Sequence, residues 1–497
     1  MRGSWLRPLL RAQELRLREN QLFLVLTIVV GVLAGLSAVL FALAIDQVSH
    51  RLFGLDPSRL RLFAVPPLVS LVTGVMLVKF FPDVRGSGVP QTEAAYHLAG
   101  GVIPGRVPFG KFLTGILCIG SGHSMGREGP SVQIGAGIAS SIGRWVGLSP
   151  ARVRDLVPVG AAGALAAAFN TPVAAVLFAL EEIIGDMNAP LLGSTVVASI
   201  ASVSVARSIL GNEPLFHVPV YHLEHPAELL AYAVLGVLGG LLSAAFCKAL
   251  LVSRAWFRLL PAATRAWQPA MGGVVIGGVI VFAPAVMGVG YEYIGQALNG
   301  GLLPSTMLAL CVLKLGATVV SYASGNAGGI FAPSLYIGAM AGGALGTVVH
   351  NFAPFPTGDP GAYALVGMGT LFAGIIRAPL TSVFMIFEIT QDYQILVPLM
   401  VANMLSLAIS RRFQATPVYH ALLQQDGVHL PSSSGPAAEA RNAQSVMRAA
   451  SHFLAPDLSV QQAATVAFAH GASAHLVGSS SAALGVITCD DLRHLAE

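Results

Sequence analysis

KFLTGILCIGSGHSMGREGPSVQIG, residues 111–135, places an arginine and a glutamate, Arg127 and Glu128, in the middle of a long apolar region. Gly126 and Gly129 bracket the pair, and Pro130 opens a helix-like run. Proline is favoured just inside a helix start, because the N–H it lacks would find no partner in the first turn. Glycines let a backbone approach a neighbour closely, and a helix start offers free N–H groups and the positive end of a dipole. The stretch reads as an anion seat with a carboxylate beside it.

It occurs twice. Residues 314–338, KLGATVVSYASGNAGGIFAPSLYIG, align with it without a gap, matching Lys111 to Lys314, Ser121-Gly122 to Ser324-Gly325 and Pro130-Ser131 to Pro333-Ser334. Downstream, VGAAGALAAAFNTP (159–172) pairs with VGMGTLFAGIIRAP (366–379), and a glutamate follows each proline at the same distance, Glu181 and Glu388. Three blocks in one order imply two related halves, about 21–225 and 226–424. The loop after the first copy carries Arg144, Arg152 and Arg154, whereas its counterpart near 350–362 carries His350 and Asp359 and neither lysine nor arginine. Lysine and arginine concentrate in cytoplasmic loops. The two loops are therefore expected on opposite faces of a membrane, which makes the repeat inverted. Inverted repeats hold a substrate near the midplane, between broken helices.

Composition points the same way. Of 497 residues 54% are hydrophobic and only 10% charged, against about a quarter charged in soluble domains. Mean hydropathy is +0.71. This is an all-α polytopic membrane protein by composition, and its 55 glycines suit close helix packing in lipid. A net charge of +4 gives no reason to expect nucleic acid. Cys118, Cys247, Cys311 and Cys489 have no metal-ligand or disulfide spacing and read as packing residues.

The arginine-rich segment 1–20 precedes an apolar run, about 22–48, too long for a signal peptide's apolar core. The N-terminus is expected in the cytoplasm. Further spans are expected near 62–81, 191–209, 227–254, 268–284, 304–323, 331–350, 361–376, 379–390 and 394–410. Several are shorter than the ~20 residues that cross a bilayer, which is tolerated only where they are buried or line a wet cavity. Gly86-Ser87-Gly88-Val89-Pro90 is another glycine turn with proline at a helix start, and Tyr419 follows Pro417 in the same way. Residues 425–442 form a linker. From 443 to 497 the pattern becomes a small α/β unit, with a helix in APDLSVQQAATVAFAHG, strands in AHLVG and ALGVIT, and a final helix in DDLRHLAE.

GSGVP, GREGP and GGIFAP, in this order and followed by a terminal tyrosine, resemble the CLC chloride channel and transporter family over about residues 21–424. The resemblance implies a CLC-like inverted-repeat bundle of broken helices, forming a homodimer with one ion path per subunit. It implies that Ser87, the backbone N–H groups of Ile330 and Phe331, and the Tyr419 hydroxyl bind chloride. Glu128 becomes the external gating glutamate. Glu182 of LFALEE becomes the internal proton glutamate, at a position where family channels carry an apolar residue. The implied function is chloride/proton antiport without cofactor or metal, in a bacterial inner membrane with both termini cytoplasmic; the alternative is a passive chloride channel.

Glu128 has no second catalytic partner, nucleophile or metal-ligand cluster in the sequence, so no enzyme is expected. Glu182 has a plainer alternative, an ion pair near a helix end beside Glu181. Glu181 and Glu388 read as structural, and Lys111 and Lys314 either pair with them or satisfy helix ends. His123 reads as a loop residue with an open role in pH response. Gln91 departs from the family's usual glutamate, while Ser87 is kept where proline would suggest nitrate and methionine fluoride. The last unit resembles one CBS motif, in which Thr488 and Asp491 would hold a nucleotide; such motifs work in pairs, and only one is present.

Overall fold

The computed structural model describes residues 6–187, 190–212, 215, 216, 218, 221, 223–430, 453–470, 474–479, 482–488, 491 and 492. The chain divides into two units, Met1–Pro431 and Ser432–Glu497.

In the first unit the helices come in matched sets. Leu6–Phe53 corresponds to Glu228–Leu259, Arg59–Lys79 to Gln268–Phe282, Val89–Leu98 to Tyr291–Leu298, and Arg106–Gly120 to Pro304–Ala323. Glu128–Trp145 corresponds to Phe331–Phe352, Pro150–Phe169 to Pro360–Ile376, Pro172–Phe178 to Pro379–Thr390, and Leu192–Leu210 to Leu396–Phe413. Packing repeats with them. The Leu6–Phe53 helix packs on Pro150–Phe169 and Leu192–Leu210, as Glu228–Leu259 packs on Pro360–Ile376 and Leu396–Phe413. Seven helices among the described residues are long and apolar enough to cross a membrane, while Gln268–Phe282, Pro360–Ile376 and Pro379–Thr390 are apolar but shorter.

The aligned sequence blocks produce equivalent local structure. Pro150–Phe169 ends at Asn170 and Pro360–Ile376 at Arg377, both left-handed at φ 59° and 72°. Each is followed by a residue and a proline that starts the next helix. The glycine pairs explain the close packing. A Cβ on Gly135 would lie 2.3 Å from the Gly160 carbonyl oxygen, and one on Gly338 2.2 Å from that of Gly367. Backbone contact of this kind replaces the hydrophobic drive that helices lack in lipid.

One sequence expectation needs amendment, and one local geometry is new. The first span is part of a longer helix that begins at Leu6, inside the arginine-rich segment. The LFALEE stretch, for which the sequence implies no geometry of its own, forms a π-helical turn at Ala179–Ile184, which carries Glu181 and Glu182. Such turns occur frequently at functional sites.

The second unit has a three-stranded sheet, Phe453–Leu454 parallel to Ala474–Ser479, which is antiparallel to Ala482–Thr488. The helix Val460–His470 lies between the first two strands in sequence. The first, two-residue strand was not legible as one in the sequence, and most of the expected final helix falls outside the described residues.

Candidate functional site

Three glycine turns are stitched together. Gly126 and Gly329 exchange both backbone hydrogen bonds at 2.8 Å; Gly86 N–H donates to Asn326 O, and Gly328 N–H donates to Gly86 O, each at 3.1 Å. The stitching brings together the starts of Val89–Leu98, Glu128–Trp145 and Phe331–Phe352, whose first N–H groups have no intrahelical partner. A backbone this close requires glycine: a Cβ on Gly129 would stand 2.3 Å from Ser87 Oγ.

The buried lysines hold the turns in place. Lys111 Nζ donates to the carbonyls of Val84 and Gly86 at 2.7 Å each, and Lys314 Nζ to those of Val286 (3.0 Å) and Gly288 (2.7 Å). Of the two roles left open, neither pairing with Glu181 or Glu388 is found; each cation satisfies carbonyls of a turn preceding a helix. A buried ammonium is tolerated when its donors are matched in this way.

The expected site residues fall as follows. Ser87 Oγ and Tyr419 Oη are fully buried and adjacent, and neither meets a hydrogen-bond partner of good geometry among the described residues. Buried hydroxyls left without a partner are uncommon. Tyr419 sits at the start of Val418–Gln425, within electrostatic range of both Glu128 and Glu182. Ile330 caps Phe331–Phe352, and the Phe331 ring packs among Phe169, Phe178 and Phe372 at 4.9, 5.8 and 4.3 Å. Glu128 is fully buried; Oε1 accepts from Tyr291 Oη at 2.5 Å, and Oε2 faces the amides of Glu128 and Ala332 without a well-formed hydrogen bond. Glu182 is half-buried and faces Glu93, Glu181 and Arg377. Its ion-pair alternative finds Arg377 as a neighbour, but no direct salt bridge to Glu182 is formed among the described residues.

Other residues take part that the sequence did not single out. Tyr291 clamps Glu128, and the Arg127 guanidinium lies 5.5 Å from its ring centre. Its signal was available: Gly288-Val289-Gly290-Tyr291 repeats the Gly-x-Gly of Gly86-Ser87-Gly88-Val89. Tyr322 Oη accepts from Ser87 N–H at 3.4 Å. Together with Gly86 it walls a cavity of about 610 Å³ that also exposes Arg85, Arg254, Arg258 and Arg265. Arg254 and Arg258 share Asp426, and Arg85 donates to the Arg265 carbonyl at 2.6 Å. On another side of the unit, Arg127, Asn170 and Arg207 line a smaller cavity.

The remaining polar residues have structural partners. His123 lies in the turn between Arg106–Gly120 and Glu128–Trp145, as expected, and is fully buried there between Ser70 Oγ (2.5 Å) and Ser321 Oγ (3.3 Å). Gln91 caps its own turn, accepting from Gly88 N–H at 3.0 Å. In the second unit, Thr488 Oγ donates to Asp491 Oδ2 at 2.5 Å, an arrangement that a helix start explains by itself. No cluster able to hold a metal occurs among the described residues.

Fold and site together define a polytopic membrane protein in which the starts of broken helices converge beside buried hydroxyls without partners of good geometry. The chain belongs to the voltage gated chloride channel family, CLC, whose sequence profile matches residues 69–411. It is 31% identical over 417 residues to the H(+)/Cl(-) exchange transporter ClcA of Vibrio campbellii, covering 80% of this chain and 88% of that one. Among solved structures it resembles a slow cyanobacterial Cl−/H+ antiporter, with TM-score 0.72 and 28% identity over 81% of this chain and 97% of the other. A eukaryotic CLC transporter shares the fold, with TM-score 0.76 at 22% identity over 96% and 89% of the two chains.

Proposed function

We propose that this chain exchanges chloride for protons across the membrane. One observation carries the reading: the fully buried Glu128 carboxylate lies at the start of Glu128–Trp145, within electrostatic range of Tyr419, whose hydroxyl is orphaned together with that of Ser87. Those hydroxyls, with the N–H groups of Ile330 and Phe331, are suited to a partly dehydrated chloride, because several weak donors bind without trapping. Deprotonated, Glu128 competes with the anion for the same positive helix ends; protonated, it loses that attraction and swings out. Anion passage and proton carriage are linked at this one side chain. Glu182, near Tyr419 but on a separate π-helical turn, takes the proton toward the cytoplasm.

The arginine-lined cavity serves as the inner mouth, where uncompensated positive charge gathers anions. Family resemblance supports a homodimer with one path per subunit, and the arginine-rich N-terminus and Arg411-Arg412 support an inner membrane with cytoplasmic termini. The passive channel is the second reading, and the retained Glu182 weighs against it. The test records chloride and pH outside chloride-loaded liposomes containing the purified protein. Antiport drives protons uphill on a chloride gradient, and Glu128→Ala abolishes this while chloride still leaks. Chloride flux without proton flux in the wild type overturns it in favour of the channel.

A further inference from the structure

Two residues beside the proposed proton glutamate have no part in the mechanism above. Glu93, on Val89–Leu98, is 3% exposed; its Oε1 lies 2.5 Å from His420 Nε2, and its Oε2 has no partner. His420 is 41% exposed and sits at the start of the short helix that closes the first unit. Val89–Leu98 packs against both the π-helical turn that carries Glu182 and the Val418–Gln425 helix. His97 on the same helix reinforces the first contact, with Nε2 3.0 Å from Ile183 O. Glu93 is the foremost charged neighbour of Glu182.

An ion pair that merely anchored the last helix would satisfy the buried carboxylate and would not set it beside a second acid. Here a carboxylate within electrostatic range of Glu182 leaves one oxygen open, and the other holds an imidazole that water can touch. Imidazole is the side chain that changes charge between about pH 5 and 8. We propose that Glu93 and His420 form the cytoplasmic end of the proton route, linking Glu182 to water. The proposal rests on the antiport reading. Glu93 takes up the proton that Glu182 releases, at the open oxygen; rotation of the carboxyl turns that proton toward His420, and it passes to Nε2 of a neutral imidazole that carries its own proton on Nδ1. The imidazolium loses its Nδ1 proton to water, so Glu93 and His420 return to their starting charges and Glu182 is left ionised. The other charged groups facing this histidine are Arg377, which also faces Glu182, and His97. Tyr419 and His420 thus put the anion site and the proton port on adjacent residues of one helix, the first fully buried and the second open.

The test uses the full chain in proteoliposomes. His420→Gln keeps a donor for Glu93 but does not titrate. It is expected to lower chloride-driven proton uptake roughly tenfold or more, with wild-type chloride affinity by calorimetry as evidence of an intact fold. Imidazole in the medium is expected to restore proton uptake to His420→Ala, which a structural anchor would not do. Wild-type proton uptake by His420→Gln across about pH 5–8, in a protein where Glu182→Gln abolishes it, overturns the relay and leaves antiport standing. If Glu182→Gln also transports protons normally, the antiport route through Glu182 fails and the relay falls with it.

Discussion

Glu181 and Glu388, equivalent residues of the two halves, each cap a helix in the opposite half. The Glu181 carboxylate accepts from Thr381 N–H (2.9 Å) and Thr381 Oγ (2.8 Å) at the start of Pro379–Thr390. Glu388 accepts from Val173 N–H (2.9 Å) and Ala174 N–H (2.8 Å) at the start of Pro172–Phe178. The carboxylates therefore couple the halves at two equivalent points.

Replacing either one by alanine leaves part-buried helix-start N–H groups without their acceptors. The expected loss is about 1–3 kcal/mol each, seen as a lower thermal unfolding midpoint in detergent, with glutamine recovering part of it. An unchanged midpoint for Glu388→Ala would show that the cap adds nothing.

Tyr291 holds Glu128 in its buried position through one hydrogen bond at 2.5 Å. Tyr291→Phe removes the bond and keeps the ring under Arg127. A lost hydrogen bond to a charged group amounts to about 1.5–3 kcal/mol, so the carboxylate leaves its seat more readily. Chloride turnover in liposomes is expected to rise about tenfold or more where gate opening limits the rate. A turnover equal to wild type would mean that another contact holds the gate.

Much of this was legible in the sequence, because a glycine or proline forced into a special backbone state marks the chain regardless of what packs on it. GSGVP, GREGP and GGIFAP thus located three helix starts, and the aligned 159–172 and 366–379 blocks both place a left-handed residue two positions before their final proline. Contacts between distant segments leave no such mark. That Lys111 would bind the carbonyls of Val84 and Gly86, or that Glu93 would meet His420, depends on which helices touch. The π-helical turn was equally hidden, since LFALEE satisfies an α-helical pattern.

Arg85 stands two residues before Ser87 and lines the cavity of about 610 Å³ with Arg254, Arg258 and Arg265. Asp426 neutralises only part of this charge, as two of the arginines share it. Arg85→Ala is expected to raise the chloride concentration for half-maximal flux a few-fold when chloride is supplied from that side. The effect should fade toward high ionic strength, where the Debye length falls to about 3 Å at 1 M. A salt-independent effect would point to local unfolding of the turn instead.

Ser87 and Tyr419 offer the cleanest measure of the anion seat, because their adjacent hydroxyls lack partners of good geometry among the described residues. Removing them leaves no other protein group unsatisfied, so the change reports on the anion alone. Ser87→Ala and Tyr419→Phe should each weaken chloride binding by about 0.5–1.5 kcal/mol, a loss of a few-fold to about tenfold by calorimetry. If both hydroxyls hold one ion, the double variant should lose less or more than the sum, since residues sharing a ligand are not independent. Wild-type affinity in the double variant would move the chloride site elsewhere and take with it the competition between anion and Glu128.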